Sequence, residues 1–342
     1  MKIPVKHHYI PQVYLKYWEN QNRKINYLEL NNGTIELRNK NSIFYQKNLY
    51  AITLYEFYLL TEEEKQRFIE PLKKYKVFMN NKLLSEQEII QNLSRYSTFE
   101  IKDSCNRRIS KLQKQDLLEK ILKCKHPKIE ESFSRIESHW SNVVSYFENF
   151  RVKYYKYMLT KDNNELPKLD GMKEHLELLL NFVLATYTRN PFVIENKIRT
   201  AESTSLPKNI KREVLVNIVI DFLKGERFLF DVNKYDIHLI FAAEGEKFIT
   251  CDNPVIFRPI EIENFSCTNI FWFPMSPKIL IALSENSNNN RETILPYFVT
   301  DETIRELNRK IVENAVKAIV VNEQYSSFSI GEDRLLTIDN KN

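Results

Sequence analysis

The densest group of chemically capable side chains lies in the seven residues from Lys6 to Gln12, which read Lys-His-His-Tyr-Ile-Pro-Gln. This run contains two of the six histidines in the chain. Near neutral pH, imidazole can act as a general acid, a general base or a metal ligand. In an extended segment successive side chains point to opposite faces, and Pro11 favours extended geometry before it. We therefore expect one histidine to face a site and the other to orient a neighbour, and the sequence leaves open which.

Two charged residues near helix edges or ends add to the candidates. Glu137 lies on the border of an apolar helical stripe, from which a carboxylate can reach a cleft as a base or a ligand. The alternative is an ordinary exposed glutamate on an amphipathic helix. Arg189 ends a strongly apolar helix just before Asn190 and Pro191, where it can cap the free carbonyls. Its planar fork would also suit the phosphate or carboxylate of a substrate.

Asp252, Asn253 and Pro254 interrupt a run of predicted strands with three turn-forming residues. A carboxylate on a rigid bend at a strand end is a candidate catalytic group, and a plain turn is an equal alternative. Ser276 has the same ambiguity beside Pro277. Because no Gly-x-Ser-x-Gly motif surrounds Ser276, we expect its hydroxyl to bind substrate rather than to act as a nucleophile.

These candidates come from distant segments and form a site only if they converge. The predicted catalytic residues are His7, His8, Glu137 and Asp252, and the predicted substrate-binding residues are Tyr9, Gln12, Arg189, Asn253 and Ser276. Imidazoles with carboxylates can exchange protons or bind a divalent metal, Mg²⁺ or Mn²⁺, with His8, Glu137 and Asp252 as its ligands. Arginine can stabilise the negative charge that develops on phosphate.

The favoured function is therefore a phosphodiesterase, and within that class a nuclease acting on nucleic acid. One alternative is a non-catalytic module that binds a ligand or partner in a pocket lined by the His-His-Tyr segment. Another is a purely structural role, with both imidazoles hydrogen-bonded in the core. Glycine-rich phosphate loops are missing from the sequence, so nucleotide-triphosphatase and dinucleotide-binding functions are not indicated.

Helical periodicity predicts the elements that must position these residues. Ser85 and Glu88 form a capping box, as do Thr61 and Glu64, and the latter opens a helix running to about Lys74. Apolar residues at three- and four-residue steps predict one helix over Pro127–Arg151. Further helices are expected over Gly171–Asn190, Ile210–Lys224 and Thr300–Asn322.

Alternating patterns predict the strands. A hairpin is expected over Lys24–Lys40 around the turn Asn31-Asn32-Gly33, with a third strand within Ile43–Leu54. Six short strands are expected later: Arg227–Val232, Ile237–Ala242, Lys247–Cys251, Val255–Arg258, Ile270–Phe273 and Ile279–Ser284. The fold class is α+β, with a large helical core, an N-terminal hairpin, and a C-terminal antiparallel sheet followed by a long helix.

Composition limits the partners. The 50 basic and 45 acidic residues leave a net charge of only +5, so a nucleic-acid surface would have to be local. One basic run is a candidate, although a solvated helix face is the simpler interpretation: Lys102, Arg107, Arg108, Lys111 and Lys114. The four cysteines form no metal or disulfide pattern. We expect a cytoplasmic protein with reduced thiols, neither secreted nor membrane-spanning.

The segment from His7 to Lys16 resembles the opening signature of a bacterial family catalogued as domain of unknown function 4238. Later stretches are similar to this family in the same order: Glu131–Glu137, Tyr187–Pro191, Phe248–Pro254 and Phe273–Pro277. The family more often has Thr at the position of Asn190 and Ser at that of Cys251. The resemblance implies a toxin or phage-defence effector, with a defence-system partner or a homo-oligomer. We expect one family domain over 1–342, composed of 1–60, a mainly helical 61–225, and 226–342.

Overall fold

The structure is a computed structural model that describes residues 6–31, 33–47, 49, 62–123, 127–167, 170–202, 235–262, 265–267, 269–285, 293–321, 325–330 and 336–340. Its helices are α1 Gln12–Leu15, α2 Glu62–Ile69, α3 Glu86–Asn92, α4 Lys111–Lys123, α5 Pro127–Ser138, α6 Trp140–Thr160, α7 Met172–Thr188, α8 Pro191–Glu202 and α9 Asp301–Asn314.

The strands of the first half are β1 Lys6–His8, β2 Ile25–Glu29, β3 Ile35–Arg38, β4 Tyr45–Lys47, β5 Lys76–Met79, β6 Lys82–Leu83 and β7 Glu100–Lys102. Those of the second half are β8 Tyr235–Ala242, β9 Thr250–Cys251, β10 Ile260–Ile262, β11 Phe265–Cys267, β12 Asn269–Ser276, β13 Ile279–Glu285, β14 Thr293–Val299, β15 Ala318–Val321, β16 Tyr325–Ile330 and β17 Leu336–Asn340. This mixture of helices and mainly antiparallel sheets confirms the α+β class.

The chain divides into two compact units. The first comprises Met1–His7, Gln46–Ser132 and Ile194–Lys224, and the second comprises His8–Tyr45, Phe133–Val193 and Gly225–Asn342. Within the first unit, the sheet β6-β5-β7 and helices α2, α3 and α4 surround their own apolar cluster. Its members include Phe68, Val77, Leu93, Ile101 and Ile121. The expectation of a single domain in three parts stays a prediction.

The second unit has two four-stranded sheets, ordered β12-β13-β8-β14 and β3-β2-β15-β9. Helix α9 places Ile304, Leu307 and Ile311 on one face at three- and four-residue steps. They share a buried cluster with Ile240 of the first sheet and Ile319 of the second, so α9 packs with both sheets. The opposite face of the first sheet meets α6, where the rings of Phe150 and Phe241 lie 6.4 Å apart.

Several predicted boundaries are corrected. The helix expected over Pro127–Arg151 is two helices, because the N–H of His139 bonds to the carbonyl three residues back and the α-helical ladder is interrupted there. The final helix ends at Asn314 rather than near Asn322. The run Ala318–Val321, whose last three residues are β-branched, forms strand β15 between β2 and β9.

The C-terminal sheet is mixed rather than purely antiparallel. Strand β14, which the sequence did not reveal, pairs in parallel with β8. The expected strand Lys247–Cys251 is reduced to Thr250–Cys251, and Val255–Arg258 contributes only a bridge from Ile256 to Trp272. The hairpin is confirmed as β2 and β3, while the next strand is the short β4, which pairs with β1. The segments predicted over Ile210–Lys224 and Arg227–Val232 lie outside the described residues.

Candidate functional site

Asp252 is the most constrained of the predicted site residues. It follows β9 and is fully buried. One carboxylate oxygen accepts the N–H of Val316 at 2.9 Å, and the other accepts that of Lys317 at 2.7 Å. Its own N–H donates to the carbonyl of Ala318 at 3.1 Å. Burial raises the pKa of the Asp252 carboxyl to about 6, although the hydrogen bonds from these backbone N–H groups lower it.

Two asparagine side chains bind the backbone carbonyls of Asp252 and Asn253. Asn190 stands between α7 and Pro191, the first residue of α8, and its side-chain amide donates to the carbonyl of Asp252 at 2.8 Å. The carbonyl of Asn253 accepts from the side chain of Asn314, the last residue of α9, at 2.6 Å. The turn between α7 and α8 is therefore fastened to the turn after β9.

Tyr9 brings the N-terminal segment to the same place. Its N–H donates to the carbonyl of Phe44 at 3.0 Å, and its ring lies 6.5 Å from that of Phe192. Burial raises the pKa of Tyr9 far above its usual value, and the negative charge of Asp252 raises it further. Tyr9 therefore lies within electrostatic reach of Asp252.

An exposed cation completes this group, since the ammonium of Lys317 lies 5.5 Å from the centre of the Phe192 ring. We call the five residues Tyr9, Asn190, Asp252, Asn253 and Lys317 the Asp252 cluster. It brings together four segments that are far apart in the sequence. All five residues belong to the second unit.

Arg189 and Glu137 meet each other. The guanidinium donates to the Glu137 carboxylate at 2.7 Å and lies 5.0 Å from the centre of the Phe133 ring. The Arg189 side chain is 4% exposed and that of Glu137 is 25% exposed. Arg189 occupies the C-cap position of α7, as the sequence predicts, and the ion pair joins α7 to α5. Its substrate-binding role stays a prediction.

Ser276 lies at the end of β12, where its hydroxyl donates to Glu148 at 3.2 Å and accepts the N–H of Lys278 at 3.3 Å. Glu148 also pairs with Arg151 on the same helix, α6. Ser276 is buried and fastens the β12–β13 turn to α6. This position explains its polarity without a ligand, and its predicted role in substrate binding remains a prediction.

The signature histidines differ in environment. His7 is buried and belongs to the first unit, whereas His8 is half-buried and belongs to the second, with its ring 5.8 Å from that of Tyr45. Gln12 is half-buried and begins α1. Within the described part of the chain, no group of three or more His, Cys, Asp or Glu side chains is placed to hold a metal ion. His8, Glu137 and Asp252 therefore do not form a metal-ligand group in this structure.

Sequence reasoning missed two polar contacts. The hydroxyl of Tyr14, which is fully buried, lies 2.6 Å from the hydroxyl of Thr250 and donates to the carbonyl of Pro274 at 2.7 Å. His238 and Ser284 meet across β8 and β13, with Nε2 2.8 Å from the hydroxyl oxygen. Burial lowers the pKa of His238 to about 4. Only the strand register, which the sequence does not reveal, would have paired these two residues.

The fold and the site define a class of α+β protein in which Tyr9, near the N-terminus, lies within electrostatic reach of a buried carboxylate that follows a strand. The chain belongs to the family described as "Protein of unknown function (DUF4238)", whose model matches residues 6–324. This match confirms the resemblance and spans all the predicted site residues. No curated protein and no solved structure matched the chain. No helix in the described residues is long and apolar enough to cross a membrane.

Proposed function

We propose that this protein is a phosphodiesterase acting on nucleic acid, with Asp252 as its acid–base group. The observation that carries the proposal is the position of Asp252: burial raises the pKa of its carboxyl to about 6, its backbone carbonyl accepts the side chain of Asn190, and Tyr9 lies within electrostatic reach. Acid–base groups work best when their pKa lies near the working pH, and burial is the usual means of raising that of an aspartate.

In the proposed reaction a water molecule attacks phosphorus, and Asp252 accepts the proton of that water. The ester bond breaks, and the leaving oxygen takes a proton in turn, for which half-buried His8 is the proposed donor. Lys317, exposed beside the carboxylate, would attract the phosphate. Because Asp252 is fully buried, the proposal requires the side chains that cover this carboxylate to move when substrate binds.

We propose that the reaction needs Mg²⁺ or Mn²⁺, and the cleavage test described below also tests this need. Two carboxylate oxygens already accept backbone hydrogen bonds, and the described residues provide no ready-made metal-ligand group. A metal would therefore have to enter together with the substrate phosphate. Cleavage of nucleic acid would suit the toxin or phage-defence role that the family resemblance implies.

A non-catalytic binding module is the second proposal, and one observation favours it. Both oxygens of Asp252 hold backbone N–H groups at 2.7–2.9 Å, an arrangement suited to a rigid anchor. In this alternative the Asp252 cluster and His8 together line a pocket, and the protein binds its ligand or partner there without catalysing a reaction.

The test measures cleavage of plasmid, single-stranded DNA and total RNA by the purified protein with Mg²⁺, Mn²⁺ or chelator. Wild type is compared with His8→Ala, Asp252→Asn and the control Asp170→Asn, which changes an exposed acid. Cleavage that both site variants lose and the control keeps, with melting temperatures close to wild type, supports the phosphodiesterase. Ligand-dependent stabilisation without cleavage supports the binding module. A folded protein that neither cleaves nor binds overturns both.

A further inference from the structure

Four aromatic rings form a continuous row that shares Tyr9 with the Asp252 cluster. The ring of Tyr27 lies 5.8 Å from that of Phe44, Phe44 lies 6.2 Å from Tyr9, and Tyr9 lies 6.5 Å from Phe192. We call these four residues the aromatic row. All of them belong to the second unit, so the row is formed within one compact unit.

A cation stands at each end of the aromatic row. The guanidinium of Arg38 lies 5.2 Å from the centre of the Tyr27 ring, and the ammonium of Lys317 lies 5.5 Å from that of Phe192. Aromatic rings attract cations through the negative charge density of their faces. Both ends of the row therefore combine a flat apolar surface with positive charge.

Exposure separates the inner rings from the outer ones. Phe44 and Tyr9 are buried, at 5% and 6% exposure, and fix the geometry of the row. Tyr27 and Phe192 are half-buried, and Lys317 is exposed. The outer rings and their cations are thus the parts that a ligand can reach.

Acidic groups near Tyr27 moderate the charge at that end. Arg38 pairs with Glu36, and both side chains are about two-fifths exposed. Burial raises the pKa of Tyr27 to about 12, with a further increase from Glu29 and a decrease from Arg38. Exposed ion pairs contribute little stability, so Arg38 can exchange Glu36 for a phosphate at small cost.

We propose that Tyr27 and Phe192 stack on the unpaired bases of a single-stranded nucleic acid while Arg38 and Lys317 contact its phosphates. Proteins that bind single strands combine base–aromatic stacking with cations that follow the backbone. A duplex keeps its base faces stacked on one another and offers none to these rings. This inference rests on the proposed function and adds to it the strandedness of the substrate.

The row also has a defined relation to the proposed acid–base group. The N–H of Lys317 donates to the Asp252 carboxylate at 2.7 Å, and the ammonium of the same residue lies 5.5 Å from the centre of the Phe192 ring, so one residue contacts both the carboxylate and an outer ring. A strand stacked on the row would therefore pass beside Asp252, which is the position that cleavage requires.

The test measures fluorescence anisotropy of a labelled single-stranded oligonucleotide and of the same sequence as a duplex, with chelator present to limit cleavage. The variants are Tyr27→Ala, Phe192→Ala and Lys317→Ala. Tyr155→Ala is the control, because Tyr155 is an exposed ring of the same unit that packs on Phe298 of β14. Tyr27→Phe keeps the ring and separates stacking from any role of the hydroxyl.

We expect wild type, Tyr27→Phe and the control to prefer the single strand. Each alanine substitution in an outer ring should weaken that binding by about 5- to 150-fold, since stacking on one base contributes about 1–3 kcal/mol. Lys317→Ala should lower the slope of log affinity against log salt by about 0.7. Preference for the duplex, absence of single-strand binding, or unchanged affinity in both ring variants would overturn the inference.

The two proposals can fail separately. If wild type binds single strands through these rings and never cleaves them, the phosphodiesterase proposal fails and the binding surface stands. If wild type cleaves nucleic acid while Tyr27→Ala and Phe192→Ala retain full affinity, the single-strand surface fails and the acid–base proposal stands.

Discussion

The hydroxyl of Tyr14 shows how a single side chain links the N-terminal signature to the sheets. It meets Thr250 on β9 and the carbonyl of Pro274 on β12, more than 200 residues away in the sequence. The ring packs 5.0 Å from that of Phe273 and 4.6 Å from that of Trp18. Because Tyr14 is fully buried, neither polar partner can form a replacement hydrogen bond with water if the hydroxyl is removed.

We expect Tyr14→Phe to lower the free energy of unfolding by about 1–3 kcal/mol, since it leaves a buried hydroxyl and a buried carbonyl without this partner. Chemical denaturation followed by circular dichroism measures the change. Tyr17→Phe is the matched control, because Tyr17 is half-buried three residues further along. Equal midpoints for the two variants would contradict the structural role of the Tyr14 hydroxyl.

The pair of Arg189 and Glu137 allows a structural role to be separated from a substrate role. We expect Arg189→Met to lower the free energy of unfolding by about 3 kcal/mol, because it removes one partner of a largely buried ion pair. Glu137→Gln should cost less, since Glu137 is a quarter exposed and glutamine can still accept a hydrogen bond.

A double-mutant cycle on this pair measures the coupling directly. A coupling near zero, with nucleic-acid affinity lost in Arg189→Met alone, would instead assign the guanidinium to the substrate. The sequence predicted that Arg189 ends a buried helix. It could not identify Glu137 as the partner, because the contact depends on how α5 packs against α7.

At the scale of elements, sequence motifs predicted the structure reliably where both hydrogen-bonding residues lie in one short segment. Ser85 accepts the N–H of Glu88 at 3.3 Å, and the Glu88 carboxylate accepts the N–H of Ser85 at 2.9 Å. This is the capping box predicted from the sequence. The end of α9 was not predictable in the same way, since its apolar stripe continues into Ile319 while the Asp252 carboxylate takes the N–H groups of Val316 and Lys317.

We expect Ser85→Ala to lower the free energy of unfolding by about 1 kcal/mol, because it leaves an N–H at the start of α3 without its cap. Ser94→Ala, an exposed serine after the same helix, is the control and should change stability little. Urea titration of both variants measures the difference. A loss in Ser94→Ala as large as that in Ser85→Ala would argue against the cap.

Gly245 shows where one element needs a residue without a side chain. A Cβ at this position would collide with the carboxylate of Asp301 in the first turn of α9. That carboxylate accepts the N–H of Glu246 at 2.9 Å, so it cannot move away without losing a hydrogen bond.

Gly245→Ala should therefore lower the melting temperature clearly, whereas Glu244→Ala, at the exposed neighbouring position, should not. Differential scanning fluorimetry compares the two variants with wild type. An unchanged melting temperature for Gly245→Ala would show that the turn after β8 adjusts without strain.

At the scale of the whole molecule, the family match covers both compact units, yet each unit has its own described apolar core. Composition predicted a folded protein, and periodicity predicted the α+β class and located most of the helices that carry the site. The parallel pairing of β14 with β8 was not predictable, because nothing in the local pattern of a strand fixes its direction relative to its neighbour.

Two buried groups make the stability of the molecule depend on pH in opposite directions. The folded-state pKa of Asp252 is raised from 3.8 to about 6, so the folded state holds more protons and stability falls as pH rises through that window. The pKa of His238 is lowered from 6.5 to about 4, so the unfolded state holds more protons and stability rises over much of the same window. Wild type alone should therefore show a shallow profile between pH 4 and 6.

The Asp252→Asn variant removes the contribution of the Asp252 carboxyl to this pH dependence. We expect the free energy of unfolding of wild type relative to Asp252→Asn to fall by about 3 kcal/mol from below pH 4 to above pH 6, because two pKa units correspond to about that energy. Urea titrations across this range measure the difference, and groups that titrate equally in both proteins cancel. A difference that stays constant or rises with pH would mean that burial does not raise the pKa of the Asp252 carboxyl. It would then lack the acid–base property on which the proposed catalysis depends.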